Sequence, residues 1–372
     1  MTTLNRELAA MGRMATKRNF AAIISIGLCA LVAVASAADS PKDKAKKTFL
    51  DVTEAGLDYA LQGELVGTIR TPAWGYVNSG LQVISNGDGK FDAVLFRGGL
   101  PGAGWDRTNK LKLSGTSNEQ KILWLENDDV KIAVTSGNAT VFDAYGNNAG
   151  SFRKTVRISP TMGAAPPPGA VVLFNGQPTE ELKGAKLTKD NLLLAGTLTK
   201  MPVGDFRMHI EFRSPFMPYA KGQARGNSGV YIQQRYEVQI LDSFGLEGIE
   251  NECGGLYRQQ RPELNMCLPP LTWQTYDIYF SQPRWSPEDS KKKIQNAHIT
   301  VLHNGVPIHW HRDIKAKTGG GKVEAPEHFP INLQDHGNPV TFRNIWIVPD
   351  QGDTLPTATV YQSSCCGRRR CR

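Results

Sequence analysis

Long apolar runs are scarce in this chain: beyond Phe20–Ala35, no stretch is long and apolar enough to span a membrane. A repeat of 20–50 residues, the mark of solenoids and propellers, is absent. A charge surplus in the body is absent too. The formal charge is +8, of which +3 belongs to residues 1–37 and +4 to Arg368, Arg369, Arg370 and Arg372, leaving about +1. That balance excludes the basic globular face that nucleic-acid binding requires. Cysteine is sparse, with six in 372 residues, and no spacing resembles a zinc site. At 40% hydrophobic, the chain nonetheless has ample material for packed cores.

The first apolar run reads as an export signal. Arg13, Lys17 and Arg18 precede it, and Ala35-Ser36-Ala37 follows as a small-residue cleavage site. Residues 1–37 are therefore expected to be removed, leaving an exported protein, periplasmic or extracellular, with no stable membrane span. In that compartment Cys253 and Cys267, separated by a short loop, are expected to form a disulfide. Cys365, Cys366 and Cys371 crowd a basic tail over residues 351–372, which reads as a solvated terminus.

Between these ends the pattern is that of strands. Residues 38–47 form a charged, flexible leader. Residues 48–160 read as a small antiparallel β domain: Gln82–Ser85 and Phe91–Phe96 flank the turn Asn86-Gly87-Asp88-Gly89, and four more short apolar runs follow. Residues 161–169, with Pro166, Pro167 and Pro168 in a row, read as a stiff linker. Residues 170–350 contain many strands at short spacing. Phe206–Arg213 alternates apolar and polar faces, Gly229–Gln233 and Tyr236–Leu241 read as a hairpin, and Asn304-Gly305 marks a tight turn. The fold class is all-β, a sandwich or jelly roll preceded by a smaller β module.

Four stretches of the larger region also carry a resemblance. Val171-Val172-Leu173-Phe174-Asn175-Gly176 resembles the opening strand of the 3-keto-disaccharide hydrolase-like domains. Asn227-Ser228-Gly229-Val230-Tyr231 with Tyr236–Asp242 is similar to their most specific stretch. Gln334–Val340 and Phe342–Trp346 resemble their closing strands. The family's tryptophan after the opening Asn-Gly is missing from Gln177–Lys183. The resemblance implies a concanavalin A-like fold and action on glycosides oxidised at the third sugar carbon, with an oligosaccharide or glycoside as substrate; the charge balance points to no nucleic-acid partner.

Such a reaction needs a base for the hydrogen at C2, a group to hold the enolate oxygen and an acid for the leaving oxygen. Strand alternation supplies candidates. Glu237 and Gln239 share one face of their strand, Gln334 and His336 one face of another, and Arg343, Glu211 and Arg213 stand on further strands. His336 or Glu237 is the candidate base. Arg343, or a bound divalent cation, is the candidate for holding the enolate; His309 and His311, taken to share a strand face, are too few to define a metal site. Gln239, Gln334, Asn227, Ser228, Glu211, Arg213 and Tyr231 are candidate sugar contacts, and Glu237, Gln239, Gln334, His336 and Arg343 are expected to meet in one concave pocket. Only one carboxylate lies on the Glu237 face, which argues against ordinary two-carboxylate hydrolysis. A non-catalytic carbohydrate-binding module of the same fold remains the alternative.

Overall fold

In a computed structural model, residues 40–177 and 180–351 are described. The expected signal over residues 1–37 and nearly all of the Cys- and Arg-rich tail lie outside them. The described residues form antiparallel strands, with three short helical turns among them at Pro41–Ala45, Gly56–Leu61 and Gly222–Ala224. No described helix is long and apolar enough to cross a membrane.

Eight strands between Gly63 and Thr155 close into a barrel, the first pairing with both the second and the last. Alternating side chains such as Leu65, Ile69, Leu81, Val83, Leu95, Leu125 and Phe152 fill its interior. The Ser85–Lys90 turn turns at Gly87 and Gly89, both with positive φ.

Two large sheets, with a two-stranded one at Arg284–Trp285 and Lys293–Gln295, make up the larger body. One runs in the order Leu182–Lys183, Thr197–Thr199, Asn332–Leu333, Ser228–Ile232, Tyr236–Ile240. The other has seven strands: Leu193–Leu194, Thr341–Pro349, Phe206–Arg213, Gln274–Ser281, Ala297–His303 and Val306–Ile314, with Val171–Phe174 added alongside Thr341–Pro349. Val230, Ile232, Val238 and Ile240 of the first sheet meet Met208, Ile210, Phe212, Ile278 and Phe342 of the second in one core. The Asn304-Gly305 turn closes its hairpin with both residues at positive φ. The hairpin at Gln233-Gln234 does the same without glycine.

The described residues, 40–177 and 180–351, belong to one compact unit. Lys110 bonds Glu247 at 2.5 Å and Gly102 packs on Met266. The chain running into the Pro-rich segment is held against the sandwich. Ser159 bonds Thr275 at 2.6 Å, Thr161 bonds Asp277 at 2.7 Å, and the Ala164 carbonyl accepts from Asn344 at 3.1 Å and Trp346 at 3.0 Å.

Cys253 and Cys267 are buried free thiols rather than a disulfide. Chain spacing does bring them together, but the Cys253 sulfur lies 3.2 Å from the Tyr276 hydroxyl and Cys267 donates to the Leu241 and Leu268 carbonyls at 3.5 Å. His309 and His311 do not share a face. His309 is buried on the Gly254 carbonyl, whereas His311, at φ 44, is exposed and stacks on His298. The strand is irregular here, and a bulge breaks period-two alternation.

Candidate active site

Because Val230, Val238 and Leu333 point into the core, their neighbours along each strand line the outer face of the five-stranded sheet. Register then fixes who stands beside whom. Tyr231 lies between Glu237 and Asn332, and Gly229 lies opposite Gln239. On the other side of Gly229, its carbonyl accepts the Gln334 backbone N–H at 2.9 Å. Two rows result, Glu237–Tyr231–Asn332 and Gln239–Gly229–Gln334.

Gly229 is the floor of this arrangement. A Cβ built there would stand 2.5 Å from Glu237 Oε1, so only glycine lets the carboxyl lie over the strand. Around it, buried oxygens lack donors: Glu237 Oε2, Gln239 Oε1, Gln334 Oε1 and Asn227 Oδ1 have no hydrogen-bond partner. Unpaired buried acceptors are costly and ask for a ligand that brings hydroxyl donors.

Glu237 is the charged centre of the face, and it is only 2% exposed. Burial pushes its carboxyl up to about 7, against the opposing hydrogen bond from Tyr231. The Tyr231 hydroxyl is itself raised, by burial first and by the Glu237 carboxylate second, so it stays protonated. The edge strand carrying Glu237 is covered: its backbone N–H donates to Thr318 Oγ1 at 2.8 Å and its carbonyl accepts from Tyr257 N at 3.2 Å. Gln239 is oriented by Gln223, whose Oε1 accepts its Nε2 at 3.0 Å; Asn227 is held by the Gln223 carbonyl at 2.7 Å.

Five sequence candidates, Glu237, Gln239, Gln334, Asn227 and Tyr231, thus share this face. Ser228 points the other way, and its hydroxyl donates to the Gln334 carbonyl at 2.7 Å. His336 is exposed and opens the His336–Asn338 bend just beyond Gln334. Asn338 of the same loop accepts the Asn227 N–H at 2.8 Å, which places the bend at the end of the row.

The expected convergence with Arg343 does not occur. Arg343, Glu211 and Arg213 belong to the seven-stranded sheet, where Glu211 pairs with Arg343 in register. Their side chains face away from the core, and Glu211 and Arg343 lie against Gly163 and Met162. Glu211 accepts from Arg343 at 2.6 Å, Gly163 N at 2.6 Å and Asn344 at 2.9 Å. Burial alone would raise its carboxyl, yet His209, Asn344, Arg343 and the Gly163 N–H hold it down at about 2. Arg213 and Arg343 both lie over the Trp273 ring, at 5.1 and 4.1 Å. Glu211 and Glu237 both stand on the polar side of their strands, but alternation does not tell which of two outer faces a strand contributes to.

Sequence reasoning missed Gln223, Tyr257, Thr318 and the floor role of Gly229. A glycine inside a strand pattern was the available signal for the last; the others sit on loops with no periodicity. Among the described residues, no group of three His, Cys, Asp or Glu side chains is placed to hold a metal ion.

Residues 169–348 match the model of the 3-keto-alpha-glucoside-1,2-lyase-like domain. A solved "putative glycosyl hydrolase" from Parabacteroides distasonis is 30% identical over 49% of this chain and 84% of its own, with a TM-score of 0.44. Two more so named, from the same organism, are 19% and 20% identical, over 49% and 48% of this chain and 94% and 98% of theirs, each with a TM-score of 0.34. No curated protein matches.

Proposed function

The chain belongs to the 3-keto-alpha-glucoside-1,2-lyase-like domain family through residues 169–348, and on that premise we propose that it is an exported enzyme cleaving glycosides that carry a ketone at the third sugar carbon. The observation that carries the reading is Glu237: a buried carboxyl at about 7, beside a glycine floor ringed by unpaired acceptors. A base poised near neutrality suits proton abstraction.

The chemistry runs on this chain's own residues. The C3 ketone acidifies the hydrogen at C2. Ionised Glu237 takes that proton through Oε2, and the C–H electron pair moves into the enolate. As the ketone re-forms, the pair shifts to a C1–C2 double bond and the C1–O bond breaks. The departing oxygen takes a proton, for which protonated Glu237 is the nearest source. Water adding across the double bond would turn elimination into net hydrolysis. Sugar hydroxyls would donate to Gln239, Gln334 and Asn227, fixing C2 over the carboxyl. Burial supports Glu237 over exposed His336 as base, and Arg343, on the other sheet, has no part in this scheme. Tyr231 is the nearest donor for the enolate oxygen.

A sugar-binding module would also use unpaired acceptors, but it has no need of a carboxyl raised to about 7. The decisive experiment incubates the purified protein with a 3-keto-disaccharide and with its unoxidised counterpart. Cleavage of the first alone is expected. Equal cleavage of both would overturn the mechanism, because the unoxidised sugar has no acidic hydrogen at C2.

A further inference from the structure

A cavity separate from the Glu237 face lies where the barrel meets the sandwich. It measures about 310 Å³ and is walled by Ile84, Val94 and Lys112 of the barrel and by Lys221, Arg225 and Phe244 of the sandwich, with Leu246 also on its lining. A volume near 300 Å³ holds a molecule the size of one substituted ring. None of its lining residues belongs to the Glu237 face. The turn at Gly222–Ala224 separates the two, with Gln223 bonded to Gln239 on one side and Lys221, Gly222 and Arg225 on the other.

The polar groups of this wall are unevenly matched. The acceptors are engaged: Asp242 takes the Arg225 Nε at 2.7 Å and the Phe244 N–H at 3.4 Å, and Asp92 takes Asn86 at 2.7 Å. Two donors are left over. Arg225 is only 7% exposed, yet its Nη2 has no partner. The Lys221 ammonium makes no ion pair or hydrogen bond among the described residues, whereas Lys112 is already paired with Glu247 at 2.9 Å. Ile84, Val94, Phe244 and Leu246 supply the apolar remainder. A guanidinium with an unfilled nitrogen, a second cation at the rim and an apolar bed together select a ring bearing a carboxylate.

We propose that this junction cavity is a second ligand site, binding a small molecule with one six-membered ring and a carboxylate. The carboxylate bridges Arg225 Nη2 and Lys221, and the ring lies against Phe244, Val94 and Leu246. Because both bodies build the wall, the site exists only in the joined molecule, which gives the barrel a binding role.

Titration calorimetry on the intact chain tests this without any keto-glycoside, so its outcome is separate from that of the proposed reaction. Benzoate, cyclohexanecarboxylate and glucuronate distinguish an aromatic, an alicyclic and a sugar acid; benzyl alcohol, cyclohexylmethanol and glucose are the neutral controls. At least one acid is expected to saturate a single site, about tenfold or more tighter than its neutral counterpart. Lys221→Glu and Arg225→Lys should each weaken it by about tenfold or more, and Leu246→Trp should block entry. Lys221 and Leu246 are exposed, so their variants decide the matter even if Arg225→Lys does not fold. No saturable binding of any acid, equal binding of acids and neutrals, or affinity unchanged in Lys221→Glu and Leu246→Trp would overturn the proposal.

Discussion

Glu237→Gln should separate what Glu237 does for the reaction from what it costs the fold. The carboxyl sits at about 7 in the folded protein against an ordinary 4.5. A raised acid favours folding fully below its unfolded value and loses that contribution as pH climbs through the folded value. With both values inserted, ionising Glu237 in place weakens the fold by about 1 kcal/mol at pH 5, about 2 at pH 6 and about 3 at pH 7 and above. Glutamine keeps the shape and never ionises. Glu237→Gln should therefore match the wild type near pH 4.5 apart from a constant offset, then gain on it by about 3 kcal/mol by pH 8. Urea unfolding of both proteins at pH 5, 6, 7 and 8 measures the gap directly. In the same variant, turnover of a keto-glycoside should fall by about 10²–10⁴. A stability gap independent of pH would refute the argument, since the carboxyl would then titrate as an ordinary one.

Further outcomes follow from the same geometry. In the wild type kcat/KM should rise with pH through about 7, as the base must be ionised; a flat profile from pH 5 to 8 would count against Glu237. Gly229→Ala places a Cβ 2.5 Å from Glu237 Oε1, so turnover should drop while the far-ultraviolet circular dichroism is retained; full activity would remove the floor role. Substrate deuterated at C2 should react more slowly where abstraction limits the rate. Glu211→Gln should impair stability rather than sugar binding. Because the Glu211 carboxyl is depressed to about 2, its support is present above 4.5 and lost as pH falls toward 2, so wild type and variant should converge in acid unfolding.

Much of this was legible in the residues. The Asn304-Gly305 turn and the alternation of Tyr236–Ile240 and Phe206–Arg213 gave the hairpins and the strand faces, because period two follows from backbone geometry alone. Which strands share a sheet does not. Glu211 and Glu237 have the same polar-outward pattern, yet the first lies under Gly163 and Asn344 and the second stands over Gly229. Only pairing between residues over a hundred positions apart, Glu211 with Arg343 or Val230 with Leu333, decides that. The cysteines erred in a different way: their proximity was foreseen, but the Tyr276 hydroxyl and two carbonyls satisfy both thiols unbonded.

The three prolines at 166–168 have a mechanical consequence. The chain just before them is pinned by the Trp346 indole at Ala164, and just after them Val172 lies beside the backbone of the same Trp346. Both ends of the stiff segment are thus bolted to one point on the closing strand, forming a bracket rather than a hinge. Tension applied through the barrel would enter the sandwich at Thr341–Pro349, a strand flanked on both sides, and load its rungs in shear. It would not peel Val171–Phe174 away rung by rung. Single-molecule pulling from residue 40 should accordingly meet its resistance at that strand.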